Sequence, residues 1–180
     1  SDPACDSVDR QYMLGDRLLV APVLSKEGVV DYYVPAGRWT NLFTGEVVAG
    51  PAWHRGKFDF FSMPLLVKPG SVLAVGAHTD RPDYDYAAGV TLQVYELEDG
   101  AEASAEIPSR TGAPAGSAAV RRNGNVYDIT VTGEVRDWKL ELVGAGDITI
   151  VAGAGDITRL KLGAGVSASS DCRRLRVQVG

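Results

Sequence analysis

From Arg17 to the last residue the sequence is a succession of short apolar, β-branched and aromatic runs cut apart by glycine, proline and asparagine, and no long amphipathic helical period interrupts it. Residues of that kind pack well on a pleated surface, and turn residues at close intervals leave no room for a helix of several turns. The pattern predicts an all-β protein. Leu18-Leu19-Val20-Ala21-Pro22-Val23 is apolar throughout and ends at Pro22, which reads as a strand buried on both faces. Val29 to Val34 is the next strand.

The turns supply the order of the strands. Arg38 to Phe43 and Glu46 to Val48 form a hairpin around Thr44-Gly45, because Gly45 tolerates the positive φ of a tight turn. Phe58 and Phe60 alternate with Asp59 and Phe61, which predicts one aromatic strand face. Leu65-Leu66-Val67 and Ser71 to Val75 flank Lys68-Pro69-Gly70 and read as a second hairpin. Asn123-Gly124, between Ala119 to Arg122 and Val126 to Val131, is the strongest hairpin signal in the chain. Ser109 to Ser117 reads as an exposed loop. Gly144-Ala145-Gly146-Asp147-Ile148-Thr149 recurs as Gly153-Ala154-Gly155-Asp156-Ile157-Thr158; two copies suit a pair of similar β-arcs, whereas a solenoid needs at least three repeats.

A chain of 180 residues holds two small sandwiches, since one takes about 100 residues or fewer. The polar stretch from Ala77 to Gly89 contains Pro82 and carries the boundary. The expected fold is therefore two small antiparallel β-sandwich domains in tandem, residues 17–85 and 86–180, preceded by a leading segment, 1–16.

Several function classes drop out on charge and motif. A net charge of −5 with interleaved signs repels a phosphate backbone, so nucleic acid is not an expected partner. No apolar run approaches the roughly 18 residues of a spanning helix, so no membrane association is expected either. The opening Ser1-Asp2-Pro3-Ala4-Cys5 contains no readable signal peptide, and Cys5 and Cys172 read as free thiols of a reducing compartment; the expected location is cytoplasmic. Asp83-Tyr84-Asp85 imitates the start of an EF-hand, but the twelfth position is Val94 and the sixth lacks glycine. His54 and His78 are too scattered for a zinc site. Asp83 with Asp85, and Glu96 with Glu98, share one side of an extended segment, so neither pair straddles a sugar as glycosidase carboxylates must. No catalytic residue, cofactor or metal is assigned. Trp39 and Trp138 lie inside strand patterns and are expected in the core. Trp53, in an expected loop after Gly50-Pro51-Ala52, is balanced between interface and ligand contact. With Tyr84 and Tyr86 it forms the candidate sugar-contact set.

The residues also carry a family resemblance. Asp9-Arg10-Gln11-Tyr12-Met13-Leu14-Gly15-Asp16, followed by Leu18 to Val23, resembles the segment that leaves the catalytic (β/α)8 barrel of glycoside hydrolase family 31. Pro35-Ala36-Gly37-Arg38-Trp39-Thr40 is similar to a strand entry of that family, and Met63 to Leu73 is similar to a hairpin of its proximal C-terminal domain. Arg81-Pro82-Asp83-Tyr84, Leu97-Glu98-Asp99-Gly100, Trp53-His54 and the leading Asp2 to Asp6 resemble the bacterial α-xylosidase branch.

The resemblance implies a non-catalytic C-terminal region of a retaining enzyme that removes terminal α-xylosyl units, with 1–16 as the exit segment of the barrel. The catalytic aspartates of such an enzyme sit on barrel loops, and no position here matches them. The implied partners are the barrel and, through the distal sandwich, other subunits; oligosaccharide is met only through the parent enzyme. The alternative expectation is a carbohydrate-binding β-sandwich module with Trp53, Tyr84 and Tyr86 as its platform.

Overall fold

The computed structural model describes residues 8–180, and it is all-β. Cys5 and the Asp2 to Asp6 motif lie outside the described residues. The chain divides between Pro69 and Gly70 into two compact units.

In the first unit the described strands form one five-stranded antiparallel sheet. Its strands are β1 (Tyr12–Leu14), β2 (Leu18–Val20), β3 (Val29–Asn41), β4 (Val47–Lys57) and β5 (Leu65–Val67), in the order β1-β2-β5-β3-β4. A single sheet encloses a core only by bending, and β3 bends sharply. The pairing of β3 with β4 slips between Val34 and Gly37, so that β3 contains one residue more than its partner across that step. Such a bulge kinks the strand that carries it.

Chemistry on both sides of the kink holds it. The Trp39 indole donates a 3.0 Å hydrogen bond to the Pro35 carbonyl. Opposite, a Cβ added at Gly50 would lie 2.0 Å from the same carbonyl oxygen and 2.4 Å from that of Val34. Only glycine allows so close an approach of two backbones. The bend gathers Val30, Tyr32 and Val34 from one half of β3 with Trp39 from the other, together with Leu19, Ala21 and Leu66, into one buried cluster. The Thr44-Gly45 turn forms as read: Gly45 has φ +74°, and the Asn41 carboxamide oxygen accepts from the backbone N–H groups of Phe43 and Thr44.

The second unit is a two-sheet sandwich. Its strands are β6 (Ser71–Val75), β7 (Thr91–Tyr95), β8 (Glu102–Pro108), β9 (Pro114–Asn123), β10 (Val126–Gly133), β11 (Lys139–Val143), β12 (Ile148–Ala152), β13 (Gly155–Arg159), β14 (Gly163–Ala168) and β15 (Arg174–Val179). One sheet runs β12-β15-β10-β9-β8 and the other β13-β14-β11-β7-β6. All pairs are antiparallel except β7 with β11, which is parallel. Period-two burial brings Ile107, Val120, Ile129, Leu175 and Val177 from one sheet against Leu92, Leu140 and Val166 from the other. Trp138, fully buried, donates its indole N–H to the Cys172 carbonyl at 2.9 Å.

Four expectations need correction. Leu65–Val67 and Ser71–Val75 are not a hairpin: β5 pairs with β2 and β3, whereas β6 pairs with β7 in the second unit, and Pro69-Gly70 joins the two units. The turn signal there is real, but the strands it separates find partners elsewhere. Part of Ser109 to Ser117 is strand, because β9 begins at Pro114. In the Asn123-Gly124 hairpin, Asn123 still pairs with Val126, so the loop residues are Gly124 and Asn125 with Gly124 at φ +61°. The Gly-Ala-Gly-Asp copies are not equivalent: Ile148 is buried on β12 of one sheet and Ile157 exposed on β13 of the other.

The bend predicts that Gly50→Ala lowers stability by about 3 kcal/mol through overpacking against backbone that cannot yield. Gly146→Ala, where an added Cβ meets nothing within 4 Å, changes stability by less than about 0.5 kcal/mol. Urea unfolding of the two variants checks both; equal midpoints would show that the bend tolerates a side chain.

Candidate docking surface

The first unit leaves several apolar side chains uncovered. At one edge of the sheet, β1 pairs with β2 through Tyr12↔Val20, Met13↔Leu19 and Leu14↔Leu18, and all three β1 side chains are exposed. The preceding residue anchors them. Gln11 accepts from the Tyr33 N–H through its carboxamide oxygen and donates to the Tyr33 carbonyl through its NH2 group, both at 2.7 Å. The side chain therefore mimics a strand neighbour of β3. Segment Asp9 to Asp16 is thus ordered by backbone pairing and by one amide while its apolar side chains face solvent.

A second projection is the turn at Phe60-Phe61, which are 95% and 89% exposed. The sequence predicts an aromatic strand face here, and the structure overturns it. Only Phe58 packs on the core, and the chain turns immediately afterwards. Asp59 causes the turn. Its carboxylate accepts from the Phe61 N–H at 3.0 Å and from the Ser62 hydroxyl at 2.6 Å, and its backbone carbonyl accepts from the Ser62 N–H at 3.3 Å. An aspartate that caps its own following N–H groups competes with strand pairing. The two phenyl rings meet edge to face at 5.3 Å. Beside them Pro22, Val23, Phe58, Phe60 and Met63 line an open groove of 560 Å³. Large uncovered apolar groups beside a groove mark an interaction site.

The candidate sugar-contact residues lie in different settings. Trp53 is on β4, not in a loop; the Gly50-Pro51-Ala52 turn signal is absorbed into a long edge strand. It stands opposite Tyr33, with ring centroids 5.5 Å apart, and is 58% exposed; two residues along the hairpin Arg55 pairs with Asp31 at 3.5 Å. His54 stacks on Tyr32, and its Nε2 lies 3.0 Å from the Ala49 carbonyl. Tyr84 and Tyr86 belong to the second unit. They touch edge to face at 4.8 Å, His78 packs against Tyr84, and the Tyr86 hydroxyl donates to the Pro82 carbonyl. Perpendicular rings do not form one flat stacking surface.

Two of the carboxylates considered for catalysis, Asp83 and Asp85, are engaged in ion pairs. Arg110 meets Asp83 at 2.7 Å and Arg136 meets Asp85 at 2.6 Å. The Ala87 N–H, and then Arg136, hold the Asp85 carboxyl below its usual range. A buried polar network that the sequence reading missed sits on the second unit's β7–β11 pair. Glu141 accepts from Gln93 Nε2 at 2.7 Å and from the Leu162 N–H at 2.6 Å, and the Tyr95 hydroxyl donates to Gln93 Oε1. Burial, reinforced by the Glu141 charge, pushes the Tyr95 phenol well above its ordinary value. No sequence signal marks this network, because Gln93 and Glu141 are 48 residues apart and meet only through strand pairing.

Comparison with known proteins adds the following. Residues 85–179 match the family model described as "Alpha-xylosidase YicI, C-terminal domain", and residues 1–73 match "Glycosyl hydrolase family 31 C-terminal domain". Alpha-xylosidase XylQ of Lactiplantibacillus pentosus is 29% identical over 153 residues, covering 82% of this chain and 20% of the relative. An alpha-xylosidase of Emericella nidulans is 37% identical over 95 residues, covering 48% and 12% respectively. The chain thus spans about a fifth or less of the length of these relatives. Among solved structures, a GH31 dextranase of Flavobacterium johnsoniae complexed with glucose has a TM-score of 0.77 over 99% of this chain and 27% of that one, at 15% identity. The GH31 alpha-xylosidase of Xanthomonas citri has a TM-score of 0.59 over 79% of this chain and 17% of that one, at 22% identity. At those identities the likeness is one of fold.

The Asp59 turn makes a pH prediction. The Ser62 hydroxyl first, then the Phe61 N–H, hold the Asp59 carboxyl below its usual range. A lowered folded-state value means that the carboxylate's contribution to the turn is complete above the unfolded value of about 3.9 and is lost as pH falls through the lower folded one. Carboxyl-detected NMR titration of Asp59 should give a midpoint below about 3.9, with Phe61 amide exchange accelerating as it is crossed. A midpoint at or above that value contradicts the capping account.

Proposed function

The chain belongs to glycoside hydrolase family 31, of which it carries C-terminal domains, and from that premise we propose that it is the non-catalytic part of a retaining α-xylosidase-type enzyme whose catalytic (β/α)8 barrel it supports. The single observation that carries the support role is the uncovered apolar surface of the first unit: Tyr12, Met13 and Leu14 on a paired edge strand, and Phe60-Phe61 on a turn that Asp59 holds open. A chain covering a fifth of its relatives has most of an enzyme to pack against, and side chains held rigidly outward are preorganised for that contact.

The α-xylosidases among the relatives support the proposed substrate class of the whole enzyme, terminal α-xylosyl residues of oligosaccharides. Catalysis is assigned to the barrel, where two carboxylates face one another across the scissile bond. The second unit extends the assembly and provides the contact between subunits. A cytoplasmic location, in keeping with the buried Cys172 thiol, belongs to the same proposal.

A second reading, a carbohydrate-binding module, draws on the exposed Trp53 indole backed by Tyr33. The two readings separate on what covers the first unit. Expressed alone, the chain should bind an apolar dye, and Phe60→Ser with Phe61→Ser should reduce that binding at least about twofold without lowering stability, since neither ring is buried. Expressed in continuity with the coding sequence upstream of Ser1, residues 12–14 and 60–61 should gain hydrogen-exchange protection. Unchanged protection there, with Trp53 fluorescence responding to oligosaccharide, favours the module instead.

A further inference from the structure

The outer face of one sheet of the second unit, β12-β15-β10-β9-β8, carries an ordered charge pattern. Ile129, Leu175 and Val120 turn inward to the core, so the residues that alternate with them on the paired strands turn outward. The register sets Arg176 beside Asp128, Asp128 beside Arg121, and Arg121 beside Glu102. From β15 to β8 that row runs plus, minus, plus, minus. Arg174 on β15 and Glu106 on β8 extend its polarity along the strands, so one side of the face is basic and the other acidic.

Most of these charges lack a partner within the chain. Asp128 pairs with Arg176. Among the described residues, the side chains of Arg121, Arg174, Glu102 and Glu106 make neither an ion pair nor a hydrogen bond. The centre of the face is low. Ala119, Ser104 and Thr130 share one row, and in the next the Ser117 and Thr132 hydroxyls already bond one another at 2.9 Å. Short side chains allow a second sheet to approach to about 10 Å, and hydroxyls paired in advance lose little when covered.

A row of alternating signs is its own complement when reversed. Consider a second copy laid face to face, related by a two-fold axis parallel to the strands over the gap between β9 and β10. Strand order inverts, while position along the strands is kept. Arg176 of one copy then meets Glu102 of the other, Asp128 meets Arg121, and Arg174 comes within one row of Glu106. A single operation satisfies both sides, as an isologous interface requires. A uniformly basic or acidic partner would match one side and repel the other. Five strands about 4.8 Å apart, each with about eight residues at about 3.3 Å, span about 600 Å². Two such faces bury about 1,200 Å², the lower end of what specific interfaces need.

We propose that this face pairs with the same face of a second copy of the chain, forming a weak two-fold contact. The inference rests on the second unit being the part that meets other subunits, and adds which surface does so.

The test is sedimentation of the 180-residue chain carrying Phe60→Ser and Phe61→Ser, so that the exposed rings of the first unit do not drive association. It should dimerise with a dissociation constant on the order of 100 μM. Arg174→Glu with Arg176→Glu, or Glu102→Lys with Glu106→Lys, should each weaken association at least about tenfold, because like charges then face one another. An equimolar mixture of the two variants should associate again. So should one chain with all four substitutions: two lose two charges each and two gain two each, so the net charge stays at −5 while the polarity of the face is inverted. A chain that is monomeric up to about 1 mM overturns the proposal and the subunit role of the second unit together. Dimerisation that neither pair of substitutions weakens, or that neither the mixture nor the fourfold variant restores, overturns this face and leaves the subunit role standing. The barrel-docking surface lies on the first unit and is untouched by any of these results.

Discussion

The first unit depends on one close approach of backbones: the Pro35 carbonyl, which accepts the Trp39 indole N–H, lies where a side chain at Gly50 would have to be. With that contact the β3–β4 hairpin folds back, and one continuous sheet encloses its own core. Without it Val30, Tyr32 and Val34 would lie on the face of an open sheet, with nothing to bury them. A bent sheet still has free edges, and these are where β1, Trp53 and the Asp59 turn stand. The surface proposed to meet the barrel is therefore a consequence of how the core closes.

The second unit closes differently. Two sheets face one another, so its core needs no bend, and Trp138 fills the centre with its one polar atom satisfied. Polar groups that the packing buries are paired in turn, as the Tyr95, Gln93 and Glu141 chain illustrates; a carboxylate in that position without donors would cost several kcal/mol, on the order of a broken buried pair.

Much of the fold was legible locally. The Thr44-Gly45 turn, the existence of a hairpin at Asn123-Gly124, and the burial of Trp39 and Trp138 follow from conformational preference and strand periodicity, which act over a few residues. The family resemblance was legible for the same reason, since its motifs are contiguous. The docking surface was legible only in part. Asp9 to Val23 read as a junction, but Phe60-Phe61 read as a strand face because alternation outweighed the capping capacity of Asp59. Trp53 read as a loop residue because Gly50-Pro51 is a turn signal, whereas the close approach at Gly50 places that signal inside a bent strand.

By itself, the sequence determined that the chain is all-β, where most of its turns fall and which family it belongs to, because strand propensity and turn chemistry are properties of neighbouring residues. Tertiary structure alone decided partners. It sent β5 and β6, three residues apart, into different sheets, set the two Gly-Ala-Gly-Asp copies on opposite sheets, and brought Glu96, Arg122 and Tyr127 around one pocket. Hydrogen-bonding edges are chemically alike in every strand, so which edge a strand meets is fixed by the burial of whole faces, and no local pattern encodes that.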